Sequence, residues 1–271
     1  MSESVLKSLT LGQENSQDSQ SSGKRMIAVR VREGDTHHAA PGLFWMGGFK
    51  SDMTGTKAEA LDRWAAAQNR AFVRYDYSGH GESGGDFADG TIGHWLEDSL
   101  AVFDAFCRGP QIVVGSSMGG WLALLLAREL RARNPEARTA EIAGMVLVAP
   151  APDFTEALMW AQFPPAIKQE IMEKGFWMRP SAYGEAPYPI TRNLIEDGRR
   201  HLLLGGLIET GCPVRILQGV KDEDVPWQHA TALVSCLAQD DVVLTLIKDG
   251  DHRLSRPEDI ERLIATVAEF Q

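Results

Sequence analysis

Only three cysteines, Cys107, Cys212 and Cys236, occur among the 271 residues. They are odd in number and widely spaced, which excludes a disulfide framework and any zinc-ligand spacing. Buried, reduced thiols of a cytosolic protein are expected. No apolar run approaches the ~18 residues of a membrane span. Positive charge is in deficit: 27 Lys and Arg stand against 37 Asp and Glu, a net charge of −10. A nucleic-acid partner calls for a basic patch, so none is expected. A solvated acidic surface accounts for the imbalance. Residues 1–24 are polar, rich in Ser and Gln, and carry Glu3, Glu14 and Asp18. They lack the charged and apolar regions of a secretory signal, and their acids speak against a mitochondrial transit peptide. The expectation is a disordered tail over residues 1–25 and one domain over residues 26–271, in the cytoplasm. No internal repeat is present.

What the chain does have is an alternation of strand-like and helix-like segments. Strands are predicted at 26–32, 42–46, 71–75, 111–115, 144–149, 214–218 and 242–247. Helices are predicted at 57–67, 92–107 and 227–237, and in the segment following Ser117. A last helix carries Ile260, Leu263, Ile264 and Val267 at i, i+3, i+4 and i+7. Ser255 and Glu258, with Pro257 between them, read as its capping box. This rhythm predicts an α/β fold, a mostly parallel sheet with helices on both faces. Residues 151–205 interrupt it and are far longer than one crossover needs. They hold Met159, Trp160, Phe163, Phe176, Trp177, Met178 and Tyr183, with prolines at 164, 165, 180, 187 and 189. An inserted helical cap fits this composition, its aromatics either lining an acyl pocket or packing the cap onto the body.

Gly115-Ser116-Ser117-Met118-Gly119 matches G-x-S-x-G, between the apolar run Ile112-Val113-Val114 and a long apolar segment from Gly120 onward. The pattern and its strand–turn–helix setting are those of a nucleophile elbow. Small residues flank the serine because neighbouring backbone must pass close to so sharp a turn. A serine hydroxyl is a weak nucleophile at neutral pH and needs a base, and the base needs an orienting acid. In this fold the order along the chain is serine, acid, histidine. Asp222 follows a strand and is the chosen acid, with Asp224 as backup and Asp153 more distant. His252, after the last strand, is the chosen base. His37 and His38 precede the core, His80 lies in a Gly-rich loop, and His94, His201 and His229 fall on or near helices. The oxyanion needs two N–H donors. Met118, next to the nucleophile, offers one, and Phe49, after Gly47-Gly48, offers the other, ahead of Gly48. The expected reaction is acyl transfer from a small-molecule or acylated substrate, with no metal or organic cofactor. Ser117 excludes a dehalogenase, which places an acid at the elbow. A peptidase, an acyltransferase or a non-catalytic binding protein on the same scaffold are the alternatives.

On these motifs the chain resembles the α/β-hydrolase superfamily from residue 26 to its end. Asp76-Tyr77-Ser78-Gly79-His80-Gly81-Glu82-Ser83 looks like the superfamily's D-x-x-G-x-G-x-S segment, which is structural there. Four further stretches are similar to the branch of the mitochondrial palmitoyl-protein thioesterase that also cleaves mycophenolic acid acyl-glucuronide. They run from Gly48 to Ala58, Arg74 to Gly79, Val114 to Trp121 and Gly250 to Arg253. The resemblance implies an esterase or thioesterase, with nucleophile, acid and base on Ser117, Asp222 and His252. It departs at the oxyanion loop, where the usual His-Gly is Gly47-Gly48. It departs again at the N-terminus, which does not read as a presequence and implies a bacterial-type cytosolic homologue.

Overall fold

A computed structural model of the chain describes residues 3–12, 24–35, 40–133, 139–180, 186–237 and 241–270. In order, its elements begin with β1 (Val5–Leu11), β2 (Arg25–Arg32), β3 (Gly42–Met46), α1 (Thr56–Ala67) and β4 (Phe72–Tyr75). They continue with α2 (Ile92–Phe106), β5 (Gly109–Ser116), α3 (Met118–Ala132) and β6 (Ala140–Val148). An excursion follows, with α4 (Pro165–Lys174), β7 (Phe176–Arg179), β8 (Tyr188–Thr191) and α5 (Arg192–Gly198). The chain closes with β9 (Val214–Gly219), α6 (Trp227–Cys236), β10 (Val242–Ile247) and α7 (Pro257–Ala268).

Strands β1-β2-β4-β3-β5-β6-β9-β10 form one sheet in that spatial order. Only β2 runs against the rest: it pairs antiparallel with β1 and β4, and every other pairing is parallel. Parallel strands covered on both faces are apolar along their length, as β3 is. Its side chains alternate between two cores. Phe44 and Met46 pack with Trp95, Trp121 and the apolar residues of α2 and α3. Leu43 and Trp45 pack with Leu61 of α1 and Leu263 and Val267 of α7. Each such large side chain, fully buried, contributes about 1.5–3 kcal/mol.

Three expectations are corrected. The composition of residues 1–25 predicts disorder, but Val5–Leu11 pair along their whole length with β2 as an edge strand; residues 13–23 lie outside the described residues. The strand is held by its ladder, with Val5 and Leu6 exposed and only Leu9 and Leu11 leaning on the core. It therefore carries little of the apolar alternation that marks a strand. The cap is not purely helical: β7 and β8 form an antiparallel hairpin within it. Tyr183 lies outside the described residues. The capping box of α7 sits one residue later than Ser255 and Glu258. Pro257 occupies the first helical position, so Arg256 is the N-cap, and its N–H donates to the Asp259 carboxylate at 3.3 Å.

Candidate active site

The elbow is built by close approach. Ser117 stands between β5 and α3 at φ 56° and ψ −118°, outside the regions a side chain favours. Its N–H donates to the Val148 carbonyl at 2.9 Å, and its own carbonyl accepts from Gly120 at 2.9 Å and Ala151 at 3.1 Å. These bonds tie the turn to β6 and to the first residues beyond it. A Cβ at Gly119 would overlap the carbonyl oxygens of Met46 and Gly47, so α3 can reach the end of β3 only with glycine there.

Asp222 follows β9, and its carboxylate is fully buried. Oδ1 accepts the N–H groups of Asp224 at 3.0 Å and Val225 at 2.7 Å. Oδ2 accepts from Gln218 Nε2 at 3.0 Å and faces His252 Nδ1 at 2.8 Å. A carboxylate only accepts, so Nδ1 carries the imidazole proton and Nε2 keeps its lone pair. That lone pair faces Ser117 Oγ at 3.1 Å. Thus Ser117, Asp222 and His252 come together from the C-terminal ends of β5, β9 and β10. Asp224 contributes its N–H to Asp222. Asp153 does other work: its carboxylate accepts the N–H groups of Leu203 and Leu204 at 2.8 and 2.9 Å, pinning the end of the cap. Burial raises its pKa.

Met118 is the first residue of α3, so its N–H has no acceptor within the helix. Gly48 lies against Ser117; a Cβ there would stand 3.4 Å from Ser117 Cβ. Phe49 follows, its ring packed edge-on or tilted against Phe87, Trp95, Phe154 and Tyr188 at centroid distances of 5.0–5.9 Å. Among the described residues, Asp222, Asp224 and His252 are the grouping of His, Cys, Asp and Glu close enough to share a metal. The bonds just given already engage both Asp222 oxygens and Nδ1 of His252.

A cavity of about 290 Å³ opens over Ser117 and His252. Its lining includes residues 48–52 and 55–57 of the body and Arg179 and Tyr188 of the cap hairpin. Burial lowers the Lys57 pKa to about 8, and its ammonium donates to the Arg253 carbonyl beside His252. Sequence reasoning missed Gln218, Lys57, Arg179 and Tyr188. Gln218 had a signal, a lone amide ending the apolar run of β9 four residues before Asp222. Arg179 and Tyr188 had none, because a hairpin folds them over the cleft. The cysteines are all free; Cys107 and Cys212 are buried as expected, whereas Cys236 is half-buried. No helix among the described residues is long and apolar enough to cross a membrane.

The alpha/beta hydrolase family matches residues 38–263. The Mus musculus protein named palmitoyl-protein thioesterase ABHD10, mitochondrial, is 38% identical over 228 residues, 84% of this chain and 74% of its own. The crystal structure of a putative hydrolase from Agrobacterium vitis S4 superposes with a TM-score of 0.92 at 48% identity, over 99% of both chains. The structure of alpha/beta hydrolase domain-containing protein 10 from mouse superposes with a TM-score of 0.80 at 33% identity, over 97% of both.

Proposed function

The chain belongs to the alpha/beta hydrolase family, and from that premise we propose a serine hydrolase that cleaves carboxylic esters or acyl thioesters through an acyl-enzyme on Ser117. The observation that carries this reading is the unbroken line of contacts from Asp222 Oδ2 through the His252 ring to Ser117 Oγ, 2.8 and 3.1 Å long. The identity to a palmitoyl-protein thioesterase supports thioesters as one substrate class. The three free thiols suit a reducing compartment, for which we propose the cytoplasm.

In the proposed reaction His252 Nε2 takes the Ser117 proton as Oγ attacks the acyl carbon. Asp222 stabilises the imidazolium and holds its tautomer. The carbonyl oxygen becomes an oxyanion facing the N–H groups of Met118 and Phe49, at the positive end of α3. Collapse expels the alcohol or thiol, which takes the proton from His252. Water, deprotonated by His252, then attacks the acyl-enzyme; the acid leaves and the proton returns to Ser117. No metal or organic cofactor enters these steps.

A fluorophosphonate probe is expected to label the wild type and not Ser117→Ala. Ser117→Ala is also expected to lower kcat by about 10⁴–10⁶-fold. Equal labelling of both proteins would sink the assignment. A panel of p-nitrophenyl esters and acyl thioesters of graded chain length tests the substrate class, and near-zero turnover across it would argue against that class.

A further inference from the structure

His80 has a place in the site that the fold alone does not require. It lies in the D-x-x-G-x-G-x-S loop, away from the Ser117–His252–Asp222 line, and is 5% exposed. Its Nδ1 lies 3.2 Å from the Ser78 carbonyl, and its Nε2 lies 3.2 Å from the backbone nitrogen of Lys50. A carbonyl only accepts and a backbone N–H only donates. Both contacts are satisfied by one tautomer alone, with the proton on Nδ1 and the lone pair on Nε2. The ring therefore grips the residue immediately after Phe49.

We infer that His80 is a positioning residue for the oxyanion hole: as a neutral imidazole it clamps the Lys50 N–H and so fixes the direction of the Phe49 N–H beside Ser117. This rests on the serine hydrolase reading above. Lys50 needs such a clamp, because its φ of 57° is left-handed and strained for a side-chain-bearing residue. Strained backbone persists only where its surroundings over-determine it. The clamp is itself anchored. The Ser78 carbonyl also accepts Trp95 Nε1 at 3.1 Å, and the Ser78 N–H and hydroxyl donate to Asp98 at 2.9 and 2.7 Å. A line of hydrogen bonds thus runs from α2 through Ser78 and His80 to the oxyanion loop. The His80 ring packs on Phe87 and Trp95, as the Phe49 ring does. Burial, with the Lys50 charge adding to it, holds the His80 pKa down to about 4, so the accepting lone pair is kept near neutral pH.

Two variants separate the clamp from packing. His80→Phe keeps a ring but removes the acceptor; His80→Gln restores an acceptor oxygen near the place of Nε2. With an ester that the wild type cleaves, His80→Phe is expected to lower kcat about 10- to 100-fold, the scale of a slightly misplaced group. KM should stay within about twofold, because the oxyanion forms only in the transition state. A trifluoromethyl ketone, whose serine adduct carries an oxyanion, should bind more weakly by the same factor, and His80→Gln should recover most of the loss. Wild-type kcat in His80→Phe, a loss confined to KM, or a glutamine variant no better than phenylalanine would overturn the role. Amide hydrogen exchange reads the clamp without turnover. The Lys50 amide should exchange at least about tenfold faster in His80→Phe, and an equal rate would overturn the clamp. A wild type that neither labels nor turns over esters would instead be a failure of the hydrolase reading.

Discussion

At Ser117 the backbone holds φ 56°, and three hydrogen bonds keep it there. That strain lifts Oγ out of the sheet toward His252, so the elbow's neighbours have little freedom. Gly119→Ala is expected to destabilise by at least about 1–3 kcal/mol, because the new Cβ meets the backbone of Met46 and Gly47. Urea unfolding checks this, and an unchanged midpoint would contradict it. Asp222→Asn preserves shape but no longer fixes the His252 tautomer. It is expected to lower kcat about 10⁴-fold, which single-turnover kinetics on the folded variant would read. His80 also links stability to pH. Its folded pKa of about 4 lies below the ~6.5 of an unfolded histidine, so between those values the native state binds fewer protons. Its contribution is complete above about pH 6.5 and is lost as pH falls toward 4. The drop in urea midpoint from pH 7 to pH 4.5 should therefore be smaller in His80→Phe than in the wild type. At this scale the sequence was most legible where spacing carries geometry: Gly115-x-Ser117-x-Gly119 announces a turn. The grip of His80 on Lys50 is a contact across 30 residues that no local pattern marks.

Among elements, β3, β5 and β9 were legible because burial on both faces makes their runs apolar, and α2 and α7 because their buried residues recur at helical spacing. The misses have physical causes. β1 is secured by backbone pairing and buries little. The β7–β8 hairpin has prolines and aromatics whose alternation is too short to separate from a loop. The N-cap of α7 moved because Pro257 takes the first turn. Helix α1 adds a polar device that period-counting overlooks. Asp62 accepts from Arg32 at 2.7 Å and Arg74 at 3.1 Å, all three nearly buried, and Arg74 also reaches Glu59 and the Met53 carbonyl. Asp62→Ala removes the carboxylate that two buried guanidiniums share and is expected to destabilise by about 1.5–3 kcal/mol. Thermal or urea unfolding would read that loss, and a change below 1 kcal/mol would mean that water replaces the carboxylate.

For the whole molecule, 135 residues separate Ser117 from His252. Their meeting could be anticipated because parallel strands deliver their C-terminal ends to one edge of the sheet. The opposite lesson concerns the lateral edge. Deleting residues 1–12 would strip β1 and expose the β2 ladder, a template for pairing with other chains. A lower melting temperature and more light scattering on heating are expected, and an unchanged thermal profile would show that β1 is dispensable. The cleft has two parentages. Ser117, Asp222 and His252 stand at strand ends, whereas Arg179 and Tyr188 arrive from an excursion between β6 and β9. The excursion leaves and rejoins the scaffold without interrupting the sheet. Under the proposed reading, the hairpin that roofs the cleft can be altered without displacing the strand ends that hold Ser117, Asp222 and His252.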